Sequence, residues 1–170
     1  MRQSILRYFI SLLLVSLCIC SATSIFIISG SMKEDSEREM MYSVKLIEYN
    51  LDYSKDLNTQ IETLKPLAFT DDTRISVIDE KGKVLADTYK NDISSNHLKR
   101  EEVQQALHSS NHEGYAMRRS ETTNQPLLYA AYYKDTHIIR LSIPYSGVWG
   151  YFPELAPAFA ISILISILFS

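Results

Sequence analysis

The middle of the sequence contains a β-hairpin signal, RISVIDEKGKVLADT (Arg74 to Thr88). Its two ends, RISVID and VLADT, alternate side chains with the two-residue period of a strand. The segment between them, DEKGK, contains Gly82 and is typical of a tight turn. Because a short turn joins neighbouring strands without a crossover, this stretch predicts an antiparallel sheet.

The sequence after the hairpin predicts one short helix and three more strands. The helix is LKREEVQQALH (Leu98 to His108), with Glu101 and Glu102 near its positive N-terminal end. The strands are GYAMRRS (Gly114 to Ser120), PLLYAAYYK (Pro126 to Lys134) and HIIRLSIP (His137 to Pro144). The short links again favour antiparallel pairing, so the predicted fold class is α+β, with five strands and a helix packed on the sheet.

The sequence before the hairpin predicts a long helix from Lys33 to Lys65. This segment has no glycine or proline, and Pro66 marks its expected end. Its apolar residues follow helical spacing, with a one-residue phase slip near Ser54, and can pack on the sheet or on the same helix of a second chain. The stripe consists of Met40, Val44, Ile47 and Leu51, then Leu57, Ile61, Leu64 and Ala68.

Two uncharged segments flank this polar middle part. No charged residue lies between Arg7 and Lys33, a run of 25 residues, and none lies in the 16 residues after Glu154. All 20 acidic residues and 15 of the 17 basic residues therefore fall within 33–154. This distribution excludes a soluble cytoplasmic enzyme, and it offers no basic face for nucleic acid.

The N-terminal apolar segment, Tyr8 to Met32, is long enough to cross a bilayer, which takes roughly 20 residues. Only a helix can satisfy its backbone there. A cleaved signal peptide is the alternative, but the apolar run continues through Ile25 to Ile28, past the small residues of SATS, which favours an uncleaved anchor. Arg2 and Arg7 precede the segment and place the N-terminus in the cytoplasm.

The C-terminal apolar segment, Leu155 to Ser170, is shorter than a full span, so we expect a second membrane helix that continues beyond it. Trp149, Tyr151 and Phe152 precede it, as interfacial aromatic residues do. A buried C-terminal helix is the alternative.

Cys18 and Cys20 lie in the first membrane segment, two positions apart, and point in nearly opposite directions.

The predicted organisation is therefore that of a multi-pass membrane protein, with residues 31–152 outside the cytoplasm. Its parts in order are a cytoplasmic N-terminus (1–7), a first transmembrane helix (8–30), a long membrane-proximal helix (31–66), the sheet domain (67–146), an interfacial connector (147–152) and the truncated start of a second transmembrane helix (153–170).

Four blocks of this sequence, taken in order, resemble a known family. They are RISVIDEKGKVLADT, NHLKREEVQQAL, RRSETTNQPLLYAAYY and HIIRLSIPYS. Together they resemble the extracytoplasmic sensor domains of membrane two-component histidine kinases, most closely the phosphate-regulon sensor kinase type of Gram-positive bacteria. The resemblance covers roughly residues 70–145 and implies a PAS-like (PDC/Cache) fold.

The resemblance also implies a homodimer that passes an envelope or environmental signal through the second membrane helix to a cytoplasmic autokinase. That kinase would need ATP and Mg²⁺ and would act on a cognate response regulator. These 170 residues contain no kinase motif, so no catalytic residue and no cofactor are expected within them. The alternatives are the same kind of sensor in a chemoreceptor or a diguanylate cyclase, and a membrane-tethered adaptor that binds a protein partner.

Polar residues near the short helix form the candidate ligand site: Asp87, Asn96, His97, Arg100, Arg119, Ser120, Tyr129 and Tyr132. In a PAS-like arrangement the helix and the loop before it overhang the sheet. Arginine and asparagine donate well to carboxylate or phosphate, and His97 can titrate between about pH 5 and 8. Under the structural alternative, Asn96 caps the helix and Asp87 pairs with Arg100.

Two further patterns limit the candidate chemistry. Arg118 and Arg119 are adjacent in a strand, so only one of them can face a given site. His108 and His112 have the i, i+4 spacing of helical metal ligands, but Ser109 to Asn111 indicate that the helix has ended. We therefore predict no metal site.

Overall fold

A computed structural model describes residues 2–89, 96–120 and 124–168. The chain divides into two compact units. The sheet unit is Asp35–Ser146, and the terminal unit consists of the residues up to Glu34 and from Gly147 onward. The loop before the short helix, at residues 90–95, and most of the link at 121–123 lie outside the described residues.

The sheet unit contains five antiparallel strands. They are β1 (Arg74–Asp79), β2 (Val84–Asp87), β3 (Glu113–Arg119), β4 (Pro126–Lys134) and β5 (His137–Pro144). Their order across the sheet is β2-β1-β5-β4-β3, so the last strand of the chain lies at the centre. The predicted hairpin and the predicted antiparallel pairing are confirmed.

Within the residues that the structure describes, four segments of the chain are α-helical. They are α1 (Arg2–Asn50), α2 (Leu57–Leu64), α3 (Glu101–His108) and α4 (Phe152–Leu168). Short 3₁₀ turns follow α2 at Lys65–Leu67 and precede α4 at Gly147–Tyr151. Helix α3 begins three residues later than the sequence predicts.

The prediction of one helix from Lys33 to Lys65 was wrong in its middle, because α1 ends at Asn50 and α2 begins at Leu57. The chain between them turns at Asp52, whose carboxylate accepts the Ser54 backbone N–H at 3.0 Å. Asp56 then caps α2 by accepting the Thr59 N–H at 2.8 Å. These short polar side chains give the backbone partners that compete with helical hydrogen bonds, which explains the phase slip near Ser54.

The sheet unit buries apolar side chains on both faces of the sheet. On one face, α1 and α2 cover the larger cluster, in which Met40, Val44 and Ile47 are completely buried. On the other face, α3 covers a smaller cluster that includes Val103 and Ala106. The smaller cluster covers only part of its face, and polar residues occupy the rest.

The terminal unit contains the apolar part of α1. Among the described residues, α1 from Ile5 onward is the one helix that is long and apolar enough to cross a membrane, and its apolar window is not buried by protein. The described side chains of α4 are also exposed, among them Leu155, Ile161 and Leu164. This exposure is unlike that of a buried C-terminal helix, the alternative that the sequence left open.

Candidate ligand site on the α3 face of the sheet

Strand alternation places a set of polar residues on the sheet face that α3 covers. Ser76 of β1 lies between Asp87 of β2 and Arg140 of β5 in the sheet register. Two residues along, Arg74, Ser142 and Tyr129 form a second row across β1, β5 and β4. We refer to the polar side chains of these two rows, together with Glu102 and Arg118, as the polar layer.

Asp87 holds the β2 end of the polar layer. Its two carboxylate oxygens each accept a hydrogen bond from Arg74 at 2.9 Å, which makes a bidentate pair. The Ser76 hydroxyl donates to Asp87 Oδ2 at 2.8 Å, and the Tyr89 backbone N–H donates to Oδ1 at the same distance. Asp87 is buried and well supplied with donors.

Glu102 of α3 reaches down to the sheet and is completely buried. Arg118 of β3 forms a bidentate pair with it, at 2.5 Å and 2.9 Å. Arg140 Nη1 lies 3.6 Å from Glu102 Oε1, and Arg140 Nη2 donates to the Ser76 hydroxyl at 3.0 Å. The polar layer therefore connects α3 with β3, β5, β1 and β2.

Tyr129 provides an aromatic surface within this layer. The guanidinium carbon of Arg118 lies 3.6 Å from the centre of the Tyr129 ring, and that of Arg140 lies 5.7 Å from it. Both distances fall within the range of cation–π attraction. Tyr129 thus helps to hold two arginine side chains on one face.

The ion pairs of the layer make its stability depend on pH. Burial by itself would raise the pKa of Glu102, but the hydrogen bonds and charge of Arg118, together with the charge of Arg140, outweigh burial and hold that pKa below its usual range. A carboxyl whose pKa is lower in the folded state stabilises the fold above its unfolded pKa. This contribution is lost as the pH falls through the folded value.

We therefore expect the temperature of the unfolding midpoint to decrease as the pH is lowered from about 5 to about 3. The decrease should be smaller in Glu102→Gln than in the wild type. Glu101→Gln is the matched control, because Glu101 is an exposed neighbour in the same helical turn. Its pH profile should follow that of the wild type. Parallel profiles for Glu102→Gln and the wild type would show that Glu102 carries no pH-dependent stability.

The structure brings three of the predicted site residues to this face or its margin. Asp87 and Tyr129 belong to the polar layer, and His97 is buried just before α3. The predicted pairing of Asp87 with Arg100 is replaced by the pair with Arg74. Arg100 is instead the N-cap residue of α3, and it makes no side-chain capping bond there.

Asn96 does not cap the helix, which corrects a second expectation. Its side chain donates to the Lys81 carbonyl at 2.9 Å and accepts the Leu98 backbone N–H at 2.8 Å. It therefore ties the segment before α3 to the β1–β2 turn. This contact also leaves little space at Gly82, where φ is +82° and a Cβ atom would overlap Leu98.

Three predicted site residues lie away from the polar layer. Tyr132 packs on the opposite face, against the α1 cluster, where Lys45 Nζ lies 5.2 Å from its ring centre. Arg119 is exposed and donates to the Asn124 carbonyl at 3.0 Å. Ser120 follows β3 and donates its backbone N–H to Gln125 at 2.8 Å. Tyr129 and Tyr132 are three positions apart in one strand, so they cannot share a face.

Sequence reasoning favoured Arg119 over Arg118, and it missed five further residues of the polar layer: Arg74, Ser76, Glu102, Arg140 and Ser142. One signal was available for Arg140, because this arginine shares a strand face with Ile138 and Ser142 in the apolar segment HIIRLSIP. A cation at such a position needs partners from other strands. The sequence does not reveal which strands those are.

The paired histidines do not share a helix. Helix α3 ends at His108, whose Nδ1 lies 2.8 Å from the Gln104 carbonyl oxygen. His112 lies beyond the helix, with φ at +59°. His108 and His112 therefore do not lie on one face of a helix, although they have the i, i+4 spacing of helical metal ligands.

Comparisons with known proteins give structural likeness without sequence likeness. No protein-family model matches the chain, and no curated protein sequence matches it. Among solved structures, the Bacillus subtilis YkuI protein, which has an EAL domain, superposes with a TM-score of 0.52 at 18% identity, over 75% of this chain and 36% of that one.

The ligand-binding domain of a chemoreceptor superposes on this chain with a similar TM-score. The ligand-binding domain of Campylobacter jejuni chemoreceptor Tlp3, in complex with L-valine, has a TM-score of 0.52 at 14% identity, over 71% of this chain and 56% of that one. The same domain with isoleucine bound has a TM-score of 0.50 at 16% identity, again over 71% and 56%. This chain therefore spans from about a third to just over half of the length of these solved chains.

These likenesses show the fold. The antiparallel sheet with its long N-terminal helix and short helices is the PAS-like (PDC/Cache) arrangement that the sequence predicts. The α+β fold class is confirmed.

Proposed function

We propose that this chain is the membrane-anchoring and sensor portion of a bacterial signalling protein. The observation that carries the proposal is the buried polar layer on the α3 face, in a sheet unit whose first helix continues from an apolar segment long enough to cross a membrane. The fold likeness to a chemoreceptor ligand-binding domain supports it. A small molecule is accordingly the class of signal to test first.

We further propose that the output is a histidine kinase of the two-component type, with its ATP- and Mg²⁺-dependent kinase domain and its response regulator outside these 170 residues. The four ordered sequence blocks support this assignment. The chemoreceptor likeness supports a chemoreceptor output equally well, and a diguanylate cyclase is a further alternative. The reading frame downstream of Ser170 tests this point, because a HAMP segment followed by a phosphoacceptor histidine box belongs to a kinase, and neither belongs to a protein-binding adaptor.

The proposed topology has the N-terminus in the cytoplasm, α1 across the membrane, the sheet unit outside and α4 as the start of a second span. Arg2 and Arg7 before the apolar segment support this orientation. The exposed aromatic rings of Trp149 and Phe152, whose centres lie 5.6 Å apart at the start of α4, suit the water–lipid boundary.

We propose a homodimer on the basis of the outer face of α1. Tyr42, Leu46 and Tyr49 follow helical spacing and are highly exposed, while Met40 and Val44 are buried on the sheet. A second copy anchored in the same membrane could present the same stripe in parallel. A signal would then act by binding two arrangements of the dimer unequally, and β5 would connect to α4 through the turn at Gly147–Tyr151.

Site-directed cysteine labelling in bacterial cells tests the topology. Cys18 and Cys20 are first replaced by serine, and a single cysteine is then introduced as Glu80→Cys, in the exposed β1–β2 turn, or as Gln3→Cys. We expect a membrane-impermeant maleimide to label Glu80→Cys in intact cells and Gln3→Cys only after lysis. Labelling of Glu80→Cys only after lysis would refute the sensor proposal, because the sheet unit would then lie in the cytoplasm.

A further inference from the structure

Strand β3 is one of the two edge strands of the sheet, and among the described strands only β4 pairs with it. The Ser120 backbone N–H, at the end of β3, donates to the Gln125 carbonyl on the β4 side. Bonded and non-bonded pairs alternate along an antiparallel ladder, so the even-numbered residues of β3 bond to β4. The backbone groups of the odd-numbered residues of β3 therefore point outward, away from the sheet.

Side chains close the first half of this outer edge. The Tyr115 N–H donates to Gln105 Oε1 at 2.9 Å, and the Glu113 carbonyl accepts the Ser109 hydroxyl at 2.7 Å. These contacts supply the partners that a neighbouring strand would otherwise provide. An added strand can therefore form its full set of backbone hydrogen bonds only beyond Tyr115.

The second half of the edge, at Met117 and Arg119, has no such cover. Among the described residues, no group accepts the outward backbone N–H of either residue. The Met117 side chain is 53% exposed. Arg119 is exposed too, and within the described part of the chain its guanidinium bonds to the Asn124 carbonyl and pairs with no carboxylate. An open strand edge of this kind is a template for a further strand.

A second copy of this chain does not fit this edge under the proposed topology. Antiparallel pairing of two β3 edges relates the copies by a two-fold axis perpendicular to the strands, so their β5 strands run in opposite directions. Each β5 ends at Pro144, shortly before the terminal unit resumes at Gly147. The two chains would then lead toward their second membrane segments in opposite directions, whereas two copies in one membrane must enter it from the same side.

We propose that the open half of the β3 edge binds an extended segment of a partner protein, which adds a sixth strand antiparallel to β3. The segment carries an acidic side chain opposite Arg119 and an apolar side chain opposite Met117. Backbone hydrogen bonds supply affinity, and the two side-chain pairs supply selectivity. Because the added strand runs antiparallel, its acidic residue comes two positions before the apolar one. The proposal goes beyond the sensor function and uses the topology only to exclude a second copy.

The experiment uses the full chain in detergent micelles, with ¹⁵N-labelled methionine. The sequence has five methionines, and the Met117 N–H resonance is identified by its absence in Met117→Leu. The probe is the capped peptide Thr-Glu-Thr-Val-Thr-Tyr-Thr, which places Glu opposite Arg119 and Val opposite Met117. It is added to about 1 mM, because a short segment that orders on binding has low affinity. We expect it to shift the Met117 resonance and to slow hydrogen exchange at that amide.

A second peptide, with Lys in place of Glu, tests the charge pair. We expect it to bind the wild type roughly fivefold more weakly. Arg119→Glu should reverse this preference. Lys81→Glu is the matched control, because it makes the same change of charge at an exposed position of the β1–β2 turn and should keep the wild-type preference. Met117→Pro removes an outward N–H, which an edge strand tolerates, and should abolish binding of both peptides.

The wild-type measurements decide the proposal even if a variant does not fold. If neither peptide changes the Met117 resonance, the edge does not accept a strand and the proposal is wrong. Equal binding of both peptides to the wild type would also contradict it, because Arg119 would then not select an acidic segment. The sensor proposal fails on a different result, labelling of Glu80→Cys only after lysis, so the two failures are distinguishable.

Discussion

Replacing Gly114 with alanine is expected to destabilise the sheet unit by about 3 kcal/mol or more. Gly114 lies on β3 directly beneath α3, and a Cβ atom there would overlap the Glu102 carbonyl oxygen. It would also lie 2.7 Å from the Ala106 backbone nitrogen and 2.9 Å from the Gln105 Cβ. Because two of these three atoms are helix backbone, the clash can be relieved only by lifting α3 away from the sheet.

This lift would also move Glu102 away from Arg118 and Arg140, so the polar layer should loosen together with the helix. The measurement is thermal unfolding of the full chain in detergent. Gly30→Ala is the matched control, because nothing lies within 4 Å of the added methyl group in α1, and its stability should be unchanged or slightly raised. A Gly114→Ala protein as stable as Gly30→Ala would mean that α3 does not pack on β3 in this way.

Glu102→Gln is the second substitution with a large expected effect, and it should cost about 3–5 kcal/mol at neutral pH. The glutamine keeps the shape of the side chain but removes the negative charge that faces Arg118 and Arg140. Arg140 is then left as a buried cation without its nearest carboxylate. Removal of one partner from a buried ion pair is costly for this reason, even where the intact pair contributes little.

Two further variants test whether the lost stability comes from the uncompensated charge of Arg140. Glu101→Gln changes an exposed carboxylate of the same helical turn and should cost only a few tenths of a kcal/mol. Adding Arg140→Met to Glu102→Gln removes the unpaired cation and should recover a large part of the lost stability. If the double variant is less stable than Glu102→Gln, the penalty does not come from the uncompensated Arg140.

The sheet was predictable from the sequence because its strands carry the period of a pleated surface. The segments PLLYAAYYK and HIIRLSIP match β4 and β5 residue for residue, and RISVID matches β1. The break between α1 and α2 was visible only as a phase slip near Ser54, because no glycine or proline marks it. It depends on the hydrogen bonds that the Asp52 and Asp56 carboxylates accept from nearby backbone N–H groups, which replace hydrogen bonds of a continuous helix.

The polar layer was only partly predictable, because its contacts depend on strand order. Chain proximity suggests the β1–β2 and β4–β5 pairs, but Arg140 meets Ser76 only because β5 inserts beside β1. The choice between Arg118 and Arg119 likewise depends on which face α3 covers. A period-two pattern says that two neighbours point in opposite directions, and it does not say which of them points inward.

The central position of β5 has a consequence for biosynthesis. Until His137 to Pro144 have been translated, β1–β2 and β3–β4 are two separate hairpins, and each exposes an unpaired strand edge. The nascent polypeptide therefore cannot complete its sheet from the N-terminal end onward as it emerges from the ribosome. Completion requires the last strand to enter between the two hairpins, and until then both edges are open to pairing with other chains.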